Sequence, residues 1–175
     1  MRWIWIDRFV KFESGKSARA VKNLSLAEDH FEQHLPGYPI MPACFILEGL
    51  AQTGGILVGE ANDFKEKVVL AKITSARFQR EALAGETLIY DAEMLTLRPE
   101  GASILGKVYA LPAGAASQEP AGAPIAEAEI FFAHLDQARS QQLFGDHNFV
   151  FSGELKYLLG LAKVSAQRTD RAKES

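Results

Sequence analysis

A length of 175 residues suits one domain with its own core, and 47% hydrophobic with 23% charged residues is the ordinary balance of a soluble globular protein. A net charge of −3 and a pI near 5.8 leave no basic excess to neutralise phosphates, which argues against a nucleic-acid binder. The single cysteine, Cys44, allows no internal disulfide, and the apolar run before Asp7 and Arg8 is too short for a signal peptide or a membrane span, so a cytoplasmic protein is expected.

Trp3 to Phe12 is rich in β-branched and aromatic residues and reads as a first strand, closed by the turn Glu13-Ser14-Gly15-Lys16. Ser17 to Leu24 sets Ala18 and Ala20 against Arg19, the pattern of a hairpin partner with one solvated face. The link from Ser25 to Gln33 carries Glu28, Asp29, His30 and Glu32 and reads as solvated loop. His34 then opens a turn stiffened by Pro36, Pro39 and Pro42, three of the seven prolines. Pro42 suits the first position of a helix, where its missing N–H costs nothing.

Ala43 to Gly59 follows as one buried helix, with apolar residues pointing in nearly every direction. Glu48 is the only charged residue between His34 and Gly59. An acidic side chain on such a helix is costly to ionise without a partner, so a raised pKa in the range of a general acid is expected. Gln52, one helical turn on, can hydrogen-bond that carboxyl group. An imidazole on a rigid turn and a carboxyl on a buried helix make His34 and Glu48 the candidate acid–base pair.

Beyond the polar exit Glu60–Lys67, a strand over Val68 to Gln79 is expected, with Val69, Ala71, Ile73 and Phe78 inward. Thr87 to Leu97 alternates cleanly, Leu88, Tyr90, Ala92 and Met94 against Asp91 and Glu93. Arg98-Pro99-Glu100-Gly101 is a turn, Ala102 to Leu111 a further strand, and Pro112 to Pro124 a mobile Ala/Gly/Pro loop. Ile125 to His134 closes the pattern with Ala126, Ala128, Ile130 and Phe132 opposing Glu127 and Glu129. The order of elements, a hairpin, a long buried helix and a four-strand meander, points to an α+β architecture in which an antiparallel sheet wraps one helix. Residues 1–134 make the domain. Residues 135–175 read as an extension with an amphipathic helix over Glu154 to Val164, docked on the body or on a second subunit, and a frayed tail from Ala166 to Ser175.

Four ordered blocks, WIDRFVKFESGKSARAVKNLS, HLPGYPIMPACFILEGLAQTGGIL, ITSARFQREALAGETL and IAEAEIFFA, give the span from Ile6 to His134 a family character. It resembles the 3-hydroxyacyl-acyl carrier protein dehydratases of type II fatty acid synthesis, which have the hotdog fold. Glu rather than Asp at position 48 resembles the dehydratase-only branch more than the dehydratase/isomerase branch. The family's Gly before the His is Gln33 here, its Phe after the His is Leu35, and its Gly after the Met-Pro pair is Ala43. Were position 43 to need a positive φ, Ala would cost about 1 kcal/mol there.

The resemblance implies elimination of water from a 3-hydroxyacyl thioester, which needs one base for the α-proton and one acid for the departing hydroxyl. Neutral His34 is the implied base, its tautomer fixed by the Ile40 carbonyl, and protonated Glu48 the implied acid. The N–H of Ala43 at the helix start would stabilise enolate charge on the thioester oxygen. No cofactor and no metal are expected. The implied partners are an acyl carrier protein bearing the thioester and a second copy of the chain, in a homodimer with composite sites or a trimer of dimers. An acidic carrier would dock on local positive charge, for which Lys72, Arg77 and Arg80, with Lys65 and Lys67 nearby, are the candidates. The rival readings are a hotdog acyl thioesterase and a non-catalytic hotdog partner subunit.

Overall fold

The apolar run after Pro42 folds as α2 (Ala43–Ala61), and the chain is laid around it. In the computed structural model, which describes residues 3–115, 118–135, 142 and 157–160, the other elements are β1 (Arg8–Glu13), β2 (Ser17–Asn23), α1 (Asp29–Gln33), β3 (Lys67–Phe78), β4 (Thr87–Arg98), β5 (Gly101–Leu111) and β6 (Ala126–Leu135). The six strands form one antiparallel sheet in the order β1-β2-β4-β5-β6-β3, the hotdog arrangement that the sequence implied. Among the described residues no helix is long and apolar enough to cross a membrane.

Every residue of α2 from Gly49 to Gly59 is buried. Ile56, Leu57 and Val58 are wholly enclosed, each such side chain contributing roughly 1.5–3 kcal/mol of apolar burial. Two glycines let helix and sheet approach. A Cβ at Gly49 would lie 2.5 Å from Cζ of the buried Tyr90 on β4, and one at Gly106 on β5 would lie 2.4 Å from Cδ2 of Leu50. The cost of a glycine inside a helix, about 1 kcal/mol against alanine, is offset by that contact.

The inward row of β4 falls as its alternation predicts, with Leu88, Tyr90 and Ala92 buried and Met94 packed against them. The strands after α2 do not form a four-strand meander. Only β4, β5 and β6 meander, while β3 lies at the far edge beside β6, because the chain leaves α2 on one side of the sheet and crosses back to place β4 beside β2. The alternation expected for β3 also breaks. Its register against β6 shifts between Leu70 and Lys72 and again between Ile73 and Ser75, and each bulge moves the following residues to the other face. Leu70, Ile73 and Phe78 therefore stand opposite the core-facing Phe132, Ile130 and Ala126, whereas Val69 stands opposite the outward Ala133.

Two further expectations change at the N-terminal side. The first strand starts at Arg8 rather than Trp3; residues 3–6 lie outside any strand, with Trp5 and Ile6 buried in the core. The stretch expected to be solvated loop contains α1, which turns His30 and Phe31 into the core. Five residues are too few for a helical period to be read.

The outer face of the sheet carries a row of alternating charge. Arg19, Asp91, Lys107, Glu127 and Arg77 stand opposite one another across β2, β4, β5, β6 and β3. Arg19 grips Asp91 with Nε at 2.6 Å and Nη2 at 3.0 Å, a forked pair, and Lys107 lies 3.9 Å from Glu127. Opposite charges directly across strands each contribute roughly 0.2–1 kcal/mol, so the row opposes any slip of register. From the Ala/Gly/Pro loop, Gln118 and Glu119 reach the same face. Arg8 Nη2 donates to Gln118 Oε1 at 2.6 Å, and Arg19 pairs with Glu119. Of the C-terminal extension, the described residues 157–160 are helical, and Leu159 is buried in the main core. The rest of the expected helix and the tail lie outside the described residues.

Candidate active site

His34 caps the C-terminus of α1, its N–H donating to the His30 carbonyl at 3.2 Å, and its ring is exposed on the single chain. The turn that follows is pinned at its far end. Met41 N–H donates to the Ala82 carbonyl at 2.9 Å, and Ile40 bridges to Leu83. The Ile40 carbonyl expected to fix the His34 tautomer is not engaged by the ring, which makes no hydrogen bond among the described residues.

Pro42 is the N-cap of α2 rather than its first residue; its ψ of 134° is extended, and its carbonyl accepts from Phe45 N–H at 2.9 Å and Ile46 N–H at 3.3 Å. The N–H groups of Ala43 and Cys44 lie ahead of those first bonds, at the positive end of the helix. Among the described residues the only non-glycine ones with positive φ are Asp63 and Phe64, so Ala43 sits in ordinary backbone without strain. Cys44, on the helix expected to be buried from Ala43 to Gly59, is exposed, because the first turn of α2 projects from the core.

Glu48 lies half-buried on the next turn. Gln52, buried, donates through Nε2 to Glu48 Oε1 at 2.9 Å, as the helical spacing predicts. The N-terminal segment also reaches this carboxyl group, because Trp3 Nε1 donates to the same Oε1 at 3.1 Å. The main chain around it completes the network, with Trp5 N–H donating to Gln52 Oε1 at 2.9 Å and Gln52 Nε2 also reaching the Trp3 carbonyl at 3.2 Å. Glu48 Oε2 has no hydrogen-bond partner among the described residues, and no hydrogen bond joins Glu48 to His34 within one chain. Reading Trp3 to Phe12 as a strand missed this contact. No local pattern in the sequence ties Trp3 to a helix 45 residues away.

His30, read from sequence as loop, is 4% exposed beneath Trp5, Phe31 and Phe45, and its Nε2 is buried without a partner. Burial is the main cause that pushes its pKa below the ordinary histidine value, with Lys22 and His34 adding to the shift and Glu28 and Asp29 opposing it. The unfolded chain therefore binds this proton more readily than the folded one. Stability attributable to His30 is present above the unfolded pKa, about 6.5, and declines as pH falls below it. His30→Phe is expected to flatten the loss of urea midpoint between about pH 6.5 and 5; an unchanged slope would exclude this account.

Comparison with known proteins shows the family. The FabA-like domain family matches residues 3–111. A 3-hydroxyacyl-acyl-carrier-protein dehydratase FabZ of Listeria welshimeri is 37% identical over 135 residues, covering 77% of this chain and 87% of the relative. The chain belongs to the FabA-like dehydratase family. The FabZ of Pelotomaculum thermopropionicum is 36% identical over 132 residues, covering 75% and 87% of the two chains. Among solved structures, the dehydratase heterocomplex ApeI:P from Xenorhabdus doucetiae superposes with a TM-score of 0.62 at 15% identity, over 82% of this chain and 91% of the other. A Thermus thermophilus member of the thioesterase superfamily superposes with a TM-score of 0.59 at 16% identity, over 77% and 91%. These two likenesses speak to the hotdog fold alone.

In this FabA-like dehydratase the expected carrier-docking cations divide. Arg80 is committed, with Nη2 2.9 Å and Nη1 3.1 Å from the two oxygens of Glu86 and Nη1 also donating to the Glu81 carbonyl at 2.7 Å. Lys72 and Arg77 are exposed on the outer face of β3, opposite Phe131 and Glu127. Among the described residues, no three His, Cys, Asp or Glu side chains are grouped to hold a metal ion.

Proposed function

We propose that this chain eliminates water from a 3-hydroxyacyl thioester on acyl carrier protein to give the trans-2-enoyl thioester, in type II fatty acid or related biosynthesis, with His34 as base and Glu48 as acid. The observation that carries the reading is the kinship with FabZ dehydratases, joined to a Glu48 carboxyl group that α2 holds with one oxygen uncommitted. Neutral His34 takes the α-proton, Glu48 protonates the leaving hydroxyl, and the Ala43 N–H receives the growing charge on the thioester oxygen. The Ile40 carbonyl is the acceptor suited to His34 once the ring is drawn in by substrate. Each group does what its chemistry favours, and neither step needs a cofactor.

His34 and Glu48 work best as partners across a homodimer. The free edge of β3, with Leu70, Ile73 and Phe78 about 40% exposed on the helix-facing side, supports pairing between two copies. A trimer of dimers is a further assembly compatible with it. Docking of the acidic carrier falls to Lys72 and Arg77, with Arg80 contributing less because Glu86 neutralises it. Of the extension, the described Leu159 is buried in the core formed by residues 1–134, which supports docking of that turn on the same body, and the setting is cytoplasmic.

The test follows two products at once. Incubated with a 3-hydroxyacyl thioester of acyl carrier protein, the protein is expected to raise enoyl absorbance with no free thiol. Thiol release without enoyl would instead identify an acyl thioesterase, and neither product a non-catalytic subunit.

A further inference from the structure

Resting on the assignment of Glu48 as the acid, we infer that Trp3 is a positioning residue that, together with Gln52, determines which oxygen of Glu48 presents the proton to substrate. The amide of Gln52 has one orientation available. Its Oε1 accepts the Trp5 N–H at 2.9 Å, so Nε2 faces Glu48. The indole of Trp3 is a donor with no acceptor lone pair, so its contact with Glu48 also runs in one direction only. Both N–H groups converge on Oε1, from 2.9 Å and 3.1 Å.

A neutral carboxyl group has one carbonyl oxygen and one hydroxyl oxygen, and two donors are accepted far better by the carbonyl. Oε1 is therefore the carbonyl oxygen, and the transferable proton resides on Oε2, which has no partner among the described residues. Rotation of the carboxyl group would break both bonds. The indole itself is held, standing edge-on to the rings of Trp5 and Phe45 with centroids 5.6 Å from each. Gln52 alone would load Oε1 with one donor. Trp3 adds the second from a segment outside the helix, so its contribution can be removed without altering α2.

The chain has two tryptophans, and the indole N–H of the other, Trp5, is buried without a partner, so two indole signals report the network separately. In proton–nitrogen correlation spectra of the intact protein, assigned with Trp3→Phe, the substitution Glu48→Ala is expected to move the Trp3 indole signal more than that of Trp5. Trp3→Phe keeps the ring and loses the N–H, and is expected to lower kcat about five- to tenfold with KM unchanged, the size of one hydrogen bond to an acidic group. An indole signal indifferent to Glu48→Ala, or wild-type kcat in a folded Trp3→Phe protein while Glu48→Gln is inactive, would overturn the role of Trp3 alone. Full turnover in Glu48→Gln would remove the acid assignment and this inference with it.

Discussion

His34→Ala and Glu48→Gln proteins, each inactive alone, are expected to regain about a quarter of wild-type turnover when mixed and allowed to exchange subunits, if dimers form at random. Each single change should cost roughly 10²–10⁴ in kcat, the range for losing a positioned acid or base. The expectation comes from the placement of the two groups. On one chain His34 ends α1 with its ring exposed, Glu48 sits on α2 tied to Gln52 and Trp3, and no hydrogen bond links them. In a dimer with composite sites, a mixed pair contains one site built from two unaltered residues and one lacking both. Turnover that stays at the background of the separate variants after verified exchange would put base and acid on the same chain.

Charge placed on the β3 edge is expected to have the second large effect. Ile73→Lys should shift the protein from dimer to monomer in sedimentation velocity and lower turnover at least 100-fold at sub-micromolar concentration, with far-ultraviolet dichroism of the monomer retained. Ile73 is paired on one side only, against Ile130 of β6, and is 40% exposed, so lysine has room on an isolated chain. Against a second strand the same ammonium would be desolvated without a counter-ion. A dimeric, fully active Ile73→Lys protein would rule out this edge as the contact between copies.

How much could be read beforehand varied by element, for physical reasons. The helix α2 was legible because a long apolar run between Pro42 and a polar exit has no other stable outcome, and with it came Glu48 and the hydrogen bond from Gln52. The strand β4 was legible because Leu88, Tyr90, Ala92 and Met94 alternate with Asp91 and Glu93 ahead of the register shift between Met94 and Thr96. By contrast β3 was legible only in part: Ile73 and Phe78 face the helix side as expected, but two bulges put Val69 on the other face, and the strand's place at the far edge depends on where α2 ends relative to the sheet, which no local pattern encodes. The burial of His30 and the reach of Trp3 to Glu48 were hidden for the same reason: a five-residue helix and a short segment outside any strand carry no period. The family resemblance singled out His34 and Glu48 as candidates, but the setting of each came only with the tertiary arrangement.

The charged row on the outer face also bears on how this sheet can change over time. At Asp91, a lysine would face Arg19 on one side and Lys107 on the other, so three like charges would stand abreast. No isolated exchange repairs that arrangement, whereas inverting all the members together recreates it with opposite polarity. Drift at these sites is thereby confined to neutral replacements or concerted swaps, which makes the convex surface an inheritance passed on as a block rather than residue by residue.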